Sequence, residues 1–283
     1  MRIVTRKIGN KDYYYLQHSF RKNGKVVTRE IYLGPSLPED IEDRKRAFFR
    51  ALQGDLFRKF EQIKMHFQKE WKRVPESLKV RELGEISIAF TFNTNAIEGS
   101  TITLPETRGI IRDHVAPQKP LRDIRETEAH HRVFLGMLKN KERIGIELLH
   151  TWHKNLFTDT KPEIAGRYRD FLVRVGSYIA PDWQDVGNLM QEFFAFIRKS
   201  KLHPVELAAR AHYRFEGIHP YGDGNGRIGR LLMNHILWHA GYPILIIEHK
   251  ARGSYYHALQ KGEDRFVSYF FRRYIKVNWK RAV

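Results

Sequence analysis

The chain of 283 residues has no cysteine, which excludes disulfide bridges, thiolate metal sites and cysteine nucleophiles. It also has no apolar run of the length that a membrane span requires, and its first residues, Met-Arg-Ile-Val, are not typical of a signal peptide. It contains no repeat and no low-complexity segment. We therefore expect a soluble, cytoplasmic protein, and 42% hydrophobic residues suffice to bury a full core.

Acidic residues are few compared with basic ones. The 32 Asp and Glu stand against 50 Lys and Arg, so the net charge is +18. Such an excess favours an acidic partner, of which nucleic acid is one. The basic residues are spread over several separate segments, however, and this distribution is typical of a solvated basic surface. Nucleic-acid contact therefore stays the alternative interpretation.

The pattern of the chain divides it into three segments. Residues 1–36 alternate apolar and polar side chains around an Asn23-Gly24 turn, and with Arg2–Ile8 as a third strand they predict a small antiparallel β meander. Residues 37–79 are charged and helical, with one apolar stripe. Residues 80–283 contain the motifs that bear chemistry.

The most informative segment is HPYGDGNGRIGR, from His219 to Arg230. A helical pattern precedes it and is expected to end with Gly217 as a left-handed cap. A second helical pattern follows it, with Arg227 and Arg230 on its polar side. The sequence therefore predicts a helix, a glycine-rich loop and another helix.

The composition of this loop is typical of a polyphosphate site. Gly222, Gly224 and Gly226 allow positive φ and close approach of the backbone, so that consecutive N–H groups can bind an anion at a helix N-terminus. Arg227 and Arg230 add forked donors that suit phosphate oxygens. The remaining polar residues complete the set: Asp223 can hold Mg²⁺, and His219 can act as a general base.

Two other phosphate motifs are excluded. Residues 224–229 formally fit GxGxxG, but a dinucleotide fingerprint must follow a strand in a βαβ unit, and here a helix comes first. A Walker A lysine followed by Ser or Thr is also absent from the sequence.

The twelve residues resemble the signature of the Fic family, HxFx(D/E)GNGRxxR, with Tyr221 in place of the usual Phe. The resemblance covers about residues 80–270. It implies a mainly α protein, in which residues 80–283 form a helical bundle with a β-hairpin flap and the meander lies outside this domain. It also implies transfer of AMP from ATP to a protein hydroxyl. A tyrosine at position 221 keeps the ring but must find a partner for its hydroxyl.

The segment TNAIEG, Thr94 to Gly99, resembles the family's inhibitory motif [S/T]xxxE[G/N]. In the class with an N-terminal inhibitory helix, this resemblance implies that Glu98 pairs with Arg230 and blocks the γ-phosphate. The residues alone predict a helix over about 80–98, stopped by Gly99, where a carboxylate meets an unfavourable dipole end unless a cation compensates it. A capping box at Thr103–Glu106 then predicts the start of the next helix.

Residues 165–193 resemble the family's flap. Alternation around Phe171 to Val175 indicates a strand amid helices, and an exposed strand edge can hold an extended target segment. By position, Val175, Gly176, Ser177 and Tyr178 are expected near the nucleotide. Tyr255 lies where the family resemblance places a tyrosine that stacks on the base, with core packing as the alternative.

The histidines also suggest a metal site. His235 and His239 have ligand spacing on one helix, and the segments around His150 and His130 contain further His and Glu residues. A third spaced ligand is missing in each group, so we interpret these residues as core or surface histidines.

We therefore expect an ATP- and Mg²⁺-dependent protein adenylyltransferase that is restrained by Glu98. Its partner would be a target protein with a Ser, Thr or Tyr hydroxyl. The sequence does not determine the oligomeric state, and a homodimer is possible. In this reading His219 deprotonates the hydroxyl, while Asn225 and the loop amides stabilise charge at the α-phosphate. Two alternatives remain: a hydrolase that removes AMP, with Glu98 positioning the water, and a nucleic-acid-binding module with residual activity.

Overall fold

A computed structural model describes residues 1–22, 25–52, 54–176 and 178–281. The chain forms two compact units, Met1–Lys59 and Phe60–Val283. Within the described residues, no helix is both long enough and apolar enough to cross a membrane.

The first unit contains the predicted β meander. Strands β1 (Arg2–Ile8), β2 (Lys11–Lys22) and β3 (Lys25–Gly34) form one antiparallel sheet in the order β1-β2-β3. The predicted Asn23-Gly24 turn lies outside the described residues. Helix α1 (Ile41–Leu52) supplies Phe48, which packs with Leu16 and Leu33 in a small buried cluster. The meander is thereby confirmed, with its own apolar core.

The second unit is helical, as the sequence predicts. After α2 (Gly54–Arg73), which begins in the first unit, its α-helices are α3 (Glu76–Ile97), α4 (Leu104–Arg108), α5 (Leu121–Lys139), α6 (Ile146–Phe157), α7 (Val186–Lys199), α8 (Pro204–Ile218), α9 (Asn225–His239), α10 (Arg252–Gln260) and α11 (Glu263–Val277). A two-stranded hairpin, β4 (Arg174–Val175) with β5 (Tyr178–Ile179), lies between α6 and α7.

Local sequence explains where the site-forming helices begin. Helix α8 starts at Pro204, whose missing N–H costs nothing in a first turn, and the His203 ring accepts a hydrogen bond from the Val205 N–H. Helix α4 starts with the predicted capping box, in which Thr103 and Glu106 bond each other's backbone N–H groups.

The core of this unit lies around the α8–α9 pair. Helix α9 is buried from Asn225 to Leu237. Helices α3, α5 and α6 pack against α9, and α7 and α11 pack against α8. A helix that is buried on all sides is held rigidly by packing. The loop between α8 and α9 is therefore fixed at both ends.

Candidate active site

The loop begins at a strained histidine. Helix α8 continues through Gly217 to Ile218, and the left-handed cap is His219, with φ 52° and ψ 58°. The prediction of Gly217 as the cap is wrong, because this glycine still belongs to the last helical turn. The left-handed region costs a non-glycine residue roughly 1–2 kcal/mol, and strain of this kind is typical of functional sites.

A backbone hydrogen bond orients the His219 ring. Its Nδ1 donates a long hydrogen bond of 3.4 Å to the Glu216 carbonyl, and this bond fixes the tautomer in which Nε2 carries the free lone pair. Burial lowers the pKa of His219 below its ordinary value, against the opposing effects of the Glu216 carbonyl and the Glu98 charge. The imidazole is therefore neutral at pH 7 and able to accept a proton.

Tyr221 and Asn225 hold the shape of the loop. The Asn225 side chain accepts a hydrogen bond from the Tyr221 N–H (2.9 Å) and donates one to the Tyr221 carbonyl (2.8 Å). The buried Tyr221 ring stacks on His153 at 4.0 Å between centroids, and its hydroxyl shares a hydrogen bond of 3.1 Å with His150. His150 is thus the partner that the tyrosine requires. Since both polar groups of Asn225 are engaged inside the loop, its contact with phosphate stays a prediction.

Glycine is required at different positions of the motif for different structural reasons. Among Gly222, Gly224 and Gly226, only Gly224 has a positive φ (76°), and it forms the N-cap of α9. A Cβ atom at Gly226 would collide with the Glu98 carboxylate and lie 2.9 Å from Arg230 Nη1. The expectation of positive φ is therefore confirmed at Gly224 alone, while Gly226 is small because two charged groups meet there. Among the described residues no side chain caps the N-terminus of α9.

Helix α3 ends at the site, as expected. Glu98 is its C-cap, the Gly99 N–H donates to the Ala96 carbonyl, and the Ser100 N–H donates to the Asn95 carbonyl. Gly99 has φ 92°, so the end is a Schellman motif. The motif places the Glu98 carboxylate at the negative end of the helix dipole, where it requires a cation.

Arg230 is that cation. It is 1% exposed, and its Nη2 donates to Glu98 Oε1 at 2.5 Å and to the Thr94 carbonyl at 3.3 Å. Thr94, also buried, thus contributes its backbone. The carboxylate of Glu98 raises the pKa of Arg230 further above its ordinary value, although burial opposes this.

A second carboxylate, which sequence reasoning missed, holds the other arginine. Arg227 Nη1 donates to Glu126 on α5, and both side chains are buried. Thr160 donates to the same carboxylate at 3.1 Å, and Lys161 Nζ lies 3.4 Å from it. Both arginines of the motif are therefore neutralised by glutamates from other helices.

Asp223 lies at the edge of this group. Its carboxylate binds the Lys161 ammonium and accepts a hydrogen bond of 2.5 Å from the Gly224 N–H, and Arg227 lies 3.6 Å away. Burial alone would raise the pKa of Asp223, but the charge of Arg227 and the bond from Lys161 lower it below its usual value. The same two cations lower the pKa of Glu126 against the effect of its burial. Both groups are anionic at neutral pH.

A polar cavity opens between these groups. It has a volume of about 330 Å³, and its lining residues include Glu98, Ser100, Glu126, Lys161, Asp223 and Arg227. Its charged lining consists of three cations, Arg122, Lys161 and Arg227, and four carboxylates, those of Glu98, Asp123, Glu126 and Asp223. A cavity with these donors suits a polyphosphate with a cation.

Arg169 connects the loop to the flap. Its guanidinium is buried and donates to three backbone carbonyls, those of His219 (2.9 Å), Phe171 (2.9 Å) and Pro181 (2.6 Å). The Arg169 N–H donates to the Pro220 carbonyl at 2.9 Å. One side chain therefore fixes the carbonyl of the strained histidine and both ends of the segment that contains the hairpin.

The hairpin is shorter than the alternating pattern indicated, since β4 begins only at Arg174. Val175 pairs with Tyr178, Gly176 has φ 60°, and Ser177 lies outside the described residues. The exposed Tyr178 donates a hydrogen bond of 2.6 Å to the Gly217 carbonyl. This bond places the hairpin beside the end of α8 and thus next to His219.

Tyr255 and Tyr256 have opposite environments. Tyr255 is 1% exposed and shares a hydrogen bond of 2.7 Å with His212 Nε2, so its ring has no open face for a base. Tyr256 is 38% exposed, and its hydroxyl donates to the Ile97 carbonyl at 3.3 Å. The burial of Tyr255 contradicts its assignment as the stacking residue and favours the alternative of core packing.

The histidines considered as metal ligands contact protein groups. His235 and His239 donate to the carbonyls of Glu142 and Met137, and His130 shares a hydrogen bond with Thr91. Over the part of the chain that the structure describes, no group of three or more His, Cys, Asp or Glu could hold a metal ion.

Three residues of the site were missed: Glu126, Lys161 and Arg169. Each lies in a charged segment, RETEAH, TDTKPE and GRYRDF, and charged segments are usually solvated. Only the family resemblance of residues 165–193 pointed to the region of Arg169. For Glu126 and Lys161 the sequence offers no local signal, because their partners are 101 and 62 residues away.

Comparison with known proteins gives a consistent result. Residues 143–237 match the model of the Fic/DOC family. A curated relative from Nematostella vectensis named protein adenylyltransferase Fic is 31% identical over 265 residues, which cover 90% of this chain and 62% of the relative. A relative of the same name from Drosophila ananassae is 36% identical over 194 residues, 64% of this chain and 38% of its own length. The chain thus spans less than two thirds of these relatives.

Solved structures share the fold. Residues 134–508 of Fic-1 from C. elegans align with a TM-score of 0.71 and 26% identity, over 85% of this chain and 75% of that one. A Fic domain containing signaling protein from Bacteroides thetaiotaomicron aligns with a TM-score of 0.68 and 23% identity, over 78% of this chain and 95% of that one.

Proposed function

The chain belongs to the Fic/DOC family, and from this premise we propose that it is a protein adenylyltransferase restrained by its own Glu98. It would transfer AMP from ATP to a Ser, Thr or Tyr hydroxyl of a target protein. The observation that carries the proposal is the glycine-rich loop, which holds a half-buried, neutral His219 at one end and Arg227, Arg230 and the uncapped N-terminus of α9 at the other.

The chemistry follows from these groups. Nε2 of His219 takes the proton of the target hydroxyl, whose oxygen attacks the α-phosphorus while the bond to the β-phosphate oxygen breaks and pyrophosphate leaves. N–H groups at the start of α9, with Gly222, Gly224 and Gly226 shaping their approach, stabilise the charge that develops on the phosphate. Arg227 and Arg230 orient the β- and γ-phosphates.

Both arginines have carboxylate partners in this structure, Glu126 and Glu98. The Glu98 carboxylate borders the polar cavity, and the Arg230 guanidinium is paired with this carboxylate through Nη2. A nucleotide must therefore displace Glu98 before its γ-phosphate can reach Arg230. This competition is the physical basis of the proposed autoinhibition.

Mg²⁺ is the metal that such a reaction implies, and the residues present fit it. Asp223 is anionic and borders the cavity, and the position beside it already holds a cation, the Lys161 ammonium. Mg²⁺ typically takes one or two carboxylates and completes its shell with phosphate oxygens and water. When bound, it would neutralise charge on the phosphates; we assign Asp223 as its protein ligand.

The flap and α10 supply the remaining contacts of the proposal. Val175, Gly176 and Tyr178 form an exposed hairpin next to His219, which suits an extended target segment bound by its backbone. We assign the base contact to Tyr256 instead of Tyr255, since its exposed ring lies beside the end of α3. A homodimer, a cytoplasmic location and a domain boundary between residues 79 and 80 stay predictions.

Radiolabelled ATP tests the proposed reaction. Protein incubated with ATP labelled at the α-phosphate should become labelled, whereas ATP labelled at the γ-phosphate should give no incorporation. The His219→Ala variant should take up neither label. Incorporation from the γ-label would identify a kinase-type transfer, and absence of both in a Glu98→Gly variant that binds ATP would refute adenylyl transfer.

Removal of AMP is a second candidate reaction at the same site. The charge of Glu98 acts on His219, whose pKa it raises against the effect of burial. In this candidate reaction the Glu98 carboxylate would orient a water molecule where the target hydroxyl would otherwise lie. A target that already bears AMP, prepared with the Glu98→Gly variant, tests this candidate. Release of free AMP by the wild-type protein and not by Glu98→Gln would support it.

Nucleic acid is a second candidate partner of this chain. The charge and the aromatic face of the β meander favour it. Residues 1–36 contain eight basic and two acidic residues, a net charge of +6. Tyr13, Tyr15 and Tyr32 lie on one face of the sheet, with ring centroids 5.4 and 6.2 Å apart, and Arg6 lies over Tyr15 at 4.7 Å. Tyr32 is 52% exposed. An exposed aromatic ring beside other tyrosines and an arginine suits stacking by single-stranded bases.

Fluorescence anisotropy with labelled oligouridine tests this candidate. Tyr32→Ala should weaken binding about fivefold or more, since stacking contributes roughly 1–3 kcal/mol per base, and binding should weaken as salt rises. Tyr14→Phe, on the opposite face, is the matched control. Binding of polyglutamate with equal affinity would identify an acidic protein as the partner instead.

A further inference from the structure

Lys161 occupies an unusual position in the site. Its ammonium binds Asp223 and lies 3.4 Å from Glu126, so that it is placed between two carboxylates. It also lies 5.0 Å from the centroid of the Phe157 ring, and its side chain is only 20% exposed. The ammonium is therefore fixed by three separate partners.

This position coincides with the one assigned above to the metal. Asp223 is the carboxylate that would bind Mg²⁺, and the nearest cation to its Oδ2 atom is Lys161. An ammonium and a divalent cation at the same carboxylate repel each other strongly in a partly buried site. Arg227 Nη1 donates to Glu126, and its Nη2 lies 3.6 Å from the other oxygen of Asp223, Oδ1. Lys161 is therefore the cation that faces Oδ2.

On the basis of the proposed function, we propose that the Lys161 ammonium competes with the divalent cation for the carboxylate of Asp223. In the free protein the ammonium occupies the cation position and weakens the binding of the metal alone. When a nucleotide enters, its phosphates offer the ammonium new partners, and the carboxylate becomes available. Metal and nucleotide therefore bind in a coupled manner.

The coupling has a thermodynamic consequence. If binding of the nucleotide moves Lys161 away from Asp223, nucleotide must raise the affinity for the metal, and metal must raise the affinity for nucleotide by the same factor. A chain without the ammonium at position 161 would lose this coupling and bind the metal alone. Lys161→Met removes the charge with a similar length of side chain.

Titration of the protein with Mn²⁺, followed by electron paramagnetic resonance without nucleotide, tests the proposal. We expect Lys161→Met to bind Mn²⁺ about tenfold more tightly than the wild type, or better. Lys161→Arg keeps the charge and should bind as weakly as the wild type. Lys119→Met is the matched control, since Lys119 lies against Glu106 outside the site. Thermal unfolding verifies that each variant is folded.

A second set of titrations locates the metal. Asp223→Asn should abolish the gain in Lys161→Met, and a non-hydrolysable ATP analogue should increase Mn²⁺ affinity more in the wild type than in Lys161→Met. If the wild type and Lys161→Met bind Mn²⁺ with equal affinity through Asp223, competition between Lys161 and the metal is refuted, while the proposed function stands. If Asp223→Asn has no effect on Mn²⁺ binding in any background, with or without the analogue, the metal assignment fails and the competition with it.

Discussion

Arg230 on α9 and Glu98 at the end of α3 are 132 residues apart in the sequence, and they are joined by a hydrogen bond of 2.5 Å. The glutamate needs the arginine because it caps the negative end of a helix dipole. The arginine needs the glutamate because it is almost fully buried, and an unpaired buried charge is costly. The contact that we propose to be inhibitory is thus also a structural one.

Substitution of His219 by Ala should reduce AMP transfer about 10²–10⁴-fold, the usual contribution of a general base. ATP binding should change little, because the imidazole faces the incoming hydroxyl and not the phosphates. Single-turnover kinetics together with a separate titration of ATP check both parts. Activity within tenfold of the parent would exclude His219 as the base.

The pH profile checks the same assignment independently. Since burial lowers the pKa of His219, the neutral form persists from pH 8 to below its ordinary pKa of about 6.5. Transfer should therefore be level between pH 7 and 8 and should decrease only as pH falls through the depressed pKa. A decrease that begins above pH 7 would contradict this environment.

Arg169→Lys should lower transfer by roughly ten- to a hundredfold, although the charge is kept. Lysine cannot form the three-way fork that holds the carbonyls of His219, Phe171 and Pro181, and small displacements of reacting groups can cost as much as 10²-fold. The affinity for ATP should stay unchanged. Arg167→Lys, two residues earlier and exposed, serves as the control, and an equal effect of both substitutions would argue against a positioning role.

Glu216→Gln should change how stability depends on pH. Burial raises the pKa of Glu216 to about 8, against the opposing charge of Arg230, so the folded protein holds a proton that the unfolded chain releases above about pH 4.5. The wild type therefore loses stability as pH rises from about 5 to 8, by up to ~1.4 kcal/mol per pH unit. Urea unfolding at several pH values should show a flatter dependence for Glu216→Gln than for the wild type and for an exposed control, Glu192→Gln. Equal slopes would show that Glu216 is ionised in the fold.

Tyr256→Ala should raise the KM for ATP about fivefold or more, if the ring stacks on the base with the usual 1–3 kcal/mol. Tyr256→Phe should keep the stacking and lose only the hydrogen bond to Ile97. Tyr255→Phe, which removes the bond to His212 in the core, should leave the KM unchanged and lower the melting temperature instead. A larger rise in KM for Tyr255→Phe than for Tyr256→Ala would restore the original assignment.

Much of this site could be predicted because its signals are local. The helix, loop and helix around His219 follow from periodicity and from glycine and proline placement, and Gly99 marks the end of α3 in the same way. The family resemblance then supplied the pairing of Glu98 with Arg230, which no local pattern contains.

The errors and omissions have physical reasons as well. Gly217 seemed the natural left-handed cap, but the fold places the strained conformation on His219, where the carbonyl bond from Arg169 stabilises it. Tyr255 and Tyr256 are adjacent and chemically identical, so only the packing of α10 decides which ring is buried. Glu126 and Lys161 acquire their roles through contacts between distant segments, and such contacts leave no trace in local spacing.

The central claim is that the contact between Glu98 and Arg230 restrains adenylyl transfer, and the rate of self-modification measures it most directly. Intact-mass spectrometry after incubation with ATP and Mg²⁺ should follow the gain of one AMP per protein in the wild type, in Glu98→Gly and in Arg230→Ala. The control is Glu85→Gln, since Glu85 is a salt-bridged glutamate on the same helix outside the site.

A charge-assisted hydrogen bond contributes about 1.5–3 kcal/mol, so Glu98→Gly should react roughly ten- to a hundredfold faster than the wild type. Arg230→Ala should stay slow, because it loses the restraint and the phosphate contact together. Equal rates for the wild type and Glu98→Gly, with ATP bound to both, would contradict the claim and leave TNAIEG as an ordinary helix end.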